Sequence, residues 1–163
     1  MNRYLAGALG GLLATVPMTI AMGRLHKRLP REEQYPLPPR EITEDVVERM
    51  PVNKPRGDTS LTQLTLAAHF AYGAAAGTLW GALAPKNQRP VAGGMAFGLA
   101  VWAASYLGWI PAAKVLRPAT QHPARRNLLM LAVHCIWGAS TAGWTRLLTE
   151  PRTHGFARKA NRG

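Results

Sequence analysis

The sequence predicts an all-α polytopic membrane protein, with four transmembrane helices arranged as two parallel two-helix repeats and a short amphipathic helix in the first loop. Three observations carry this. Four long stretches lack Asp, Glu, Lys and Arg altogether. Small residues recur at four-residue intervals inside each stretch. Two of the stretches share a motif centred on a histidine.

The uncharged stretches come first. Arg3 and Arg24 bracket twenty such residues, Asp58 and Lys86 twenty-seven, Arg89 and Lys114 twenty-four, and Arg126 and Arg146 nineteen. A hydrocarbon core about 30 Å thick takes about 20 helical residues to cross, so each stretch is long enough. The mean hydropathy of −0.08 would by itself describe a soluble protein. The segregation of charge overrides that average.

The spans are expected at 4–24, 61–84, 90–112 and 127–147. Pro17 removes a backbone donor inside the first and should bend it. Arg24, Lys27, Arg28 and Arg31 follow that span at once and oppose export of what comes next, which argues for an uncleaved span rather than a signal peptide. Pro90 suits the first turn of the third span and Pro111 marks its end. The polar insert at about 41–60 follows "YPLPPR", read as an extended proline segment. A short helix over about 42–50 should present Ile42, Val46, Val47 and Met50 on one face, to the membrane interface or the bundle. The whole makes one membrane domain over 1–150, followed by a basic flexible tail at 151–163.

The repeat is visible in the letters. Residues 64–77, LTLAAHFAYGAAAG, and 129–142, LMLAVHCIWGASTA, are identical at six of fourteen positions, including the histidine and the glycine four residues later. The preceding spans match more weakly, AGALGGLLA at 6–14 against AGGMAFGLA at 92–100. Repeat one therefore covers 4–84 and repeat two 90–147, with the insert explaining the longer first copy. Two spans per copy make the copies parallel.

Close helix packing is expected from Gly7 and Gly11, from Gly73, Gly77 and Gly81, and from Gly94 and Gly98. In the fourth span Ala139 and Gly143 supply the small pair, and Gly138 lies one turn after His134. Lipid offers no hydrophobic force between helices, so small residues that admit close backbones are the usual means of association. A face left unused would serve a homo-oligomer or another membrane protein.

The formal charge of +12 sits at span ends and in loops, where it meets anionic headgroups. No basic stripe with interleaved aromatics occurs, so nucleic acid is not an expected partner. Twelve Lys and Arg in loops one and three, against eight elsewhere, favour placing those loops in the cytoplasm. The cations of the tail favour cytoplasmic termini instead. Cys135, the single cysteine, is read as a small hydrophobe within the fourth span.

PLPPR just after the first span, a histidine in the second and fourth spans, and an Ala-Gly start to the third resemble the YagU-like bacterial inner-membrane proteins. The resemblance spans most of 4–147 and carries onto Pro38, Pro39, Arg40, His69 and His134. The first loop here is shorter. The resemblance implies a multi-pass protein of the bacterial inner membrane; the family has no assigned activity to transfer.

His69 and His134 are the candidate intramembrane functional pair, because ionisable groups within spans are costly. They should sit at similar depth on parallel helices, facing the bundle interior. The leading expectation is a compact bundle acting as a structural or interaction component, with the histidines holding helices together. The alternatives are His-dependent proton or small-solute conduction or sensing, and axial ligation of a b-type haem. In the haem reading Gly73 and Gly138 make room for the porphyrin edge and Arg40 or Arg126 pairs with propionates. A bare metal site is not expected, since no carboxylate or second thiol joins the histidines. Ser60, Ser105 and Ser140 lack a Gly-x-Ser-x-Gly context, so no catalytic residue is assigned.

Overall fold

A computed structural model describes residues 1–49, 57–84 and 90–150. The expected basic tail at 151–163 and Met50 lie outside them. Among the described residues every regular element is helical. Helix α1 spans Arg3–His26, α2 Pro38–Arg49, α3 Asp58–Leu83 and α4 Pro90–Ala103. A π-helical segment, Ala104–Trp109, joins α4 to the single turn α5, Ile110–Ala112, and α6 spans Ala124–Thr149.

Three of these helices are long and apolar enough to cross a membrane: Arg3–His26, Val91–Ala112 and Ala124–Thr149. Helix α3 is equally long, at 26 residues. Its opening turns carry Asp58, Thr59, Ser60, Thr62 and Gln63, which lower its hydropathy. The outer surface is apolar, with Ile20, Leu79, Leu107 and Leu147 exposed. Apolar exposure on that scale marks a surface that meets something other than water.

Helix α1 packs extensively and antiparallel against both α3 and α6, and α6 packs antiparallel against α4. Around the bundle the order is therefore α3, α1, α6, α4. Helices α3 and α4 barely touch, so the ring closes loosely there.

Glycine sets the two tightest crossings. A methyl on Gly11 would come within 2.8 Å of the Gly77 Cα, and one on Gly7 within 2.9 Å of the Gly81 Cα. Gly73 is filled in the same way by Thr15 of α1. At the α4–α6 crossing a methyl on Gly98 would come within 3.2 Å of the Gly138 Cα, and Gly94 lies against Gly138 and Ala142. The small pair of α6 is thus Gly138 and Ala142, not Ala139 and Gly143. A methyl on Gly143 would meet nothing within 4 Å, because this residue faces outward, one position off the crossing. Gly10 is a contact the spacing rule passed over: it admits Thr141 and Thr145 of α6 between the two glycine pairs.

Two further expectations change. PLPPR is not an extended lead-in, because α2 begins at Pro38 itself. The Leu37 carbonyl accepts from the Arg40 and Glu41 amides at 2.8 and 3.2 Å. Proline lacks only a donor that a first helical turn leaves unpaired anyway, and its φ is already helical. On α2 the buried residues are Pro38 and Thr43, whereas Val46 is exposed. Near Pro111 the chain does not simply stop. The helix first widens, with the Ile110 amide bonded to the Ser105 carbonyl and Gly108 leaving helical geometry at φ −111°, ψ −108°. Proline takes away one donor of the ladder and crowds the preceding turn, which a π-bulge relieves.

Candidate functional site

The loosely closed edge of the ring holds a cavity of about 220 Å³. Behind it stand Thr15 of α1 and His134 of α6, and on its flanks His69 and Tyr72 of α3 face Ser105 and Tyr106 of the π-segment. Helix α2 covers one end with Pro39, Ile42 and Thr43. Both histidines of the candidate pair therefore line one space, although α3 and α6 scarcely meet.

The polar groups are placed one by one. His134 is buried, and its Nδ1–H donates to the Met130 carbonyl at 2.7 Å. A carbonyl can only accept, so the proton of the neutral ring is on Nδ1 and Nε2 carries the lone pair. The Tyr106 ring stands edge-on to this imidazole, centroids 6.2 Å apart. His69 is half-buried, and its Nε2 is fully buried without a hydrogen-bond partner. The Tyr72 hydroxyl and Ser105 Oγ are 2.8 Å apart across the open edge. Trp137 donates from Nε1 to the Gly11 carbonyl at 3.1 Å. The aromatic three residues after each histidine thus reaches a neighbouring helix with its polar end.

The helix over the cavity is strapped at both ends. Arg40 meets Glu44 at 2.5 Å, Asp58 at 2.6 Å and the Thr62 hydroxyl at 3.1 Å, tying α2 to the start of α3. Arg49 donates to the Ala113 and Lys114 carbonyls at 3.0 and 2.6 Å, tying the other end to the close of α5. Pro38 and Pro39 shape the first turn, and Arg40 works as a strap rather than as a ligand.

Arg126 is the anchor on the α6 side. It is 2% exposed, donating to the Glu33 and Tyr35 carbonyls at 3.1 and 2.9 Å and to the Pro36 carbonyl. Its guanidinium lies 3.5 Å above the Tyr35 ring and 3.7 Å from the Glu41 carboxylate. Burial pushes the Glu41 carboxyl above its usual range, an effect that Arg126 opposes. Beside it the Tyr35 hydroxyl and His122 Nδ1 are 2.8 Å apart, and His122 Nε2 is 3.2 Å from the Arg117 carbonyl. Nε2 must donate there, so Nδ1 accepts from the tyrosine. Burial holds the His122 imidazole below its usual value, which suits this neutral form.

The arrangement does not fit haem. The expected room beside Gly73 and Gly138 is taken by Thr15 and Gly11 in one case and by Gly94 and Gly98 in the other. Arg126 is committed to loop carbonyls and Arg40 to carboxylates. The cavity is also smaller than the ~300–1,000 Å³ typical of drug-sized ligands. No group of three or more His, Cys, Asp or Glu is gathered for a metal among the described residues.

No family model, curated protein or solved structure matches this chain. Tyr72, Ser105 and Tyr106 were not expected as site residues. The signal that could have found two of them is Gly108 followed by Pro111, because π-bulges concentrate at functional positions.

Proposed function

We propose that this is a four-span protein of the bacterial inner membrane that takes up a small neutral solute within its bundle. The single observation that carries the binding function is the cavity of about 220 Å³ at the open edge of the ring, with both intramembrane histidines in its wall. Cavities buried in packed interiors are ordinarily closed by neighbouring side chains. Here the partner interface is missing, and polar groups face the gap.

The fourth span of this reading is α3. Its 26 residues rise about 39 Å. Its charge-free stretch follows Asp58, and its glycine face is matched to α1, an apolar span. Two parallel hairpins, α1–α3 and α4–α6, follow from the 65-residue offset between the histidine motifs. A strict twofold would repeat the broad α1–α6 interface between α4 and α3, and the cavity occupies that second position. The YagU-like resemblance supports the inner-membrane location through Pro38, Pro39, Arg40 and the two histidines. The glycines at the helix crossings are used within the chain and leave the cavity open, which supports solute uptake over a purely structural role.

The test is thermal unfolding of the protein in lipid nanodiscs with and without fluorobenzene. Stabilisation that rises with probe concentration, and its loss in a cavity-filling Ala76→Phe variant, is the expected result. A wild-type protein indifferent both to this probe and to its hydroxyl-bearing analogue rejects the uptake reading.

A further inference from the structure

Among the described residues the lone pair on His134 Nε2 meets no donor, and this decides what kind of solute the cavity accepts. We propose that the site selects a single-ring phenol, whose hydroxyl donates to His134 Nε2. The inference rests on the uptake reading above and specifies its ligand class.

The size comes first. An apolar cavity of about 150 Å³ accommodates benzene. The space here is about 220 Å³, which leaves room for one ring with a substituent but not for a fused multi-ring system. The walls prefer an aromatic guest, since Tyr72, Tyr106, Trp109 and Trp137 all border the space. Aromatic rings meet edge-to-face or offset, adding to the area they bury.

The polar end is set by the imidazole. With Nδ1–H committed to the Met130 carbonyl at 2.7 Å, Nε2 can only accept. A guest without a donor, such as a quinone or an ether, leaves that nitrogen unpaired. A hydroxyl satisfies it. A carboxylic acid or an amine would bring a charge into a wall that holds no carboxylate, lysine or arginine, while Glu44, Asp45 and Glu41 nearby are engaged by Arg40, Arg49 and Arg126. The buried Nε2 of His69, also without a partner, is the second polar atom open to the hydroxyl. A phenol oxygen has lone pairs for a donor there while its proton goes to His134. A buried polar atom without a partner is rare in folded proteins, and His69 Nε2 beside the free acceptor of His134 asks for a ligand that supplies both roles.

The experiment compares 4-fluorophenol with fluorobenzene, probes that differ by one hydroxyl, by fluorine NMR on the full chain in phosphatidylcholine nanodiscs. Binding is referenced to each probe's partition into empty nanodiscs. The expected result is about tenfold tighter binding of 4-fluorophenol, the worth of one well-placed hydrogen bond. His134→Leu should bring the two probes to equal affinity, while Gly143→Leu on the outer face leaves the preference intact. Equal affinities in the wild-type protein overturn the phenol assignment and leave solute uptake standing. Failure of both probes to bind overturns both. The wild-type comparison decides the matter even where His134→Leu does not fold.

Discussion

Tyr72 and Ser105 join hydroxyls at 2.8 Å across the edge where α3 and α4 otherwise scarcely meet. The bond is the polar clasp on the mouth of the cavity, and Tyr72 also packs against Trp109 of the same wall, centroids 6.4 Å apart. A double-mutant cycle with Tyr72→Phe and Ser105→Ala should give a coupling energy of about 0.6 kcal/mol, in the ordinary range for hydrogen bonds between membrane helices. Unfolding by a graded denaturing detergent measures it. Additive single effects would show that the clasp holds nothing.

Arg126 should be the most sensitive side chain near the membrane boundary. Arg126→Met strands the carbonyls of Glu33 and Pro36, leaves the Tyr35 carbonyl to His26 Nε2 alone, and removes the cation facing Glu41. The expected loss is about 2–3 kcal/mol, the cost of leaving buried acceptors unpaired. Arg126→Lys should recover only part of it, because an ammonium lacks the planar fork that serves several acceptors and stacks on Tyr35. Thermal unfolding in a mild detergent ranks the three proteins.

The glycines divide into those that must stay and those, Gly143 among them, that need not. Gly11→Ala and Gly94→Ala push a methyl onto the facing helix, and each should lower stability by about 1–3 kcal/mol. Gly143→Ala meets open space and should be neutral or gain up to about 1 kcal/mol from helix propensity. Equal losses at all three positions would contradict the packing described.

Acidity should act on the cover of the cavity through Glu41. Burial raises its carboxyl above the ordinary 4.5, so the stability it contributes is complete below 4.5 and is lost as the pH rises through the raised value. His122 runs the other way. Its imidazole is held below the ordinary 6.5, so its contribution is present above 6.5 and fades as the pH falls through the lowered value. Hydrogen exchange of α2 followed against pH should show both limbs. Glu41→Gln should remove the rise in α2 exchange above pH 4.5 and leave the limb due to His122.

Much of this molecule was legible in its residues, and the limit of that legibility has a physical basis. Hydrocarbon requires long uncharged helices, so the brackets at Arg3, Arg24, Asp58, Arg126 and Arg146 placed the long helices near their observed ends. Close crossings require small residues, so Gly7, Gly11, Gly77, Gly94 and Gly98 marked the crossings before their partners were known. The sequence alone determined these because each is a demand on one helix by its surroundings. Which helix faces which is a demand on pairs. Only the tertiary structure decided that α1 would pack broadly on α6 while α4 and α3 stayed apart, that Gly143 would miss the crossing by one position, and that α2 would begin at Pro38. It also brought His69, His134, Tyr72 and Ser105 to one cavity, because groups as far as 65 residues apart share a space only when four helices have chosen their neighbours.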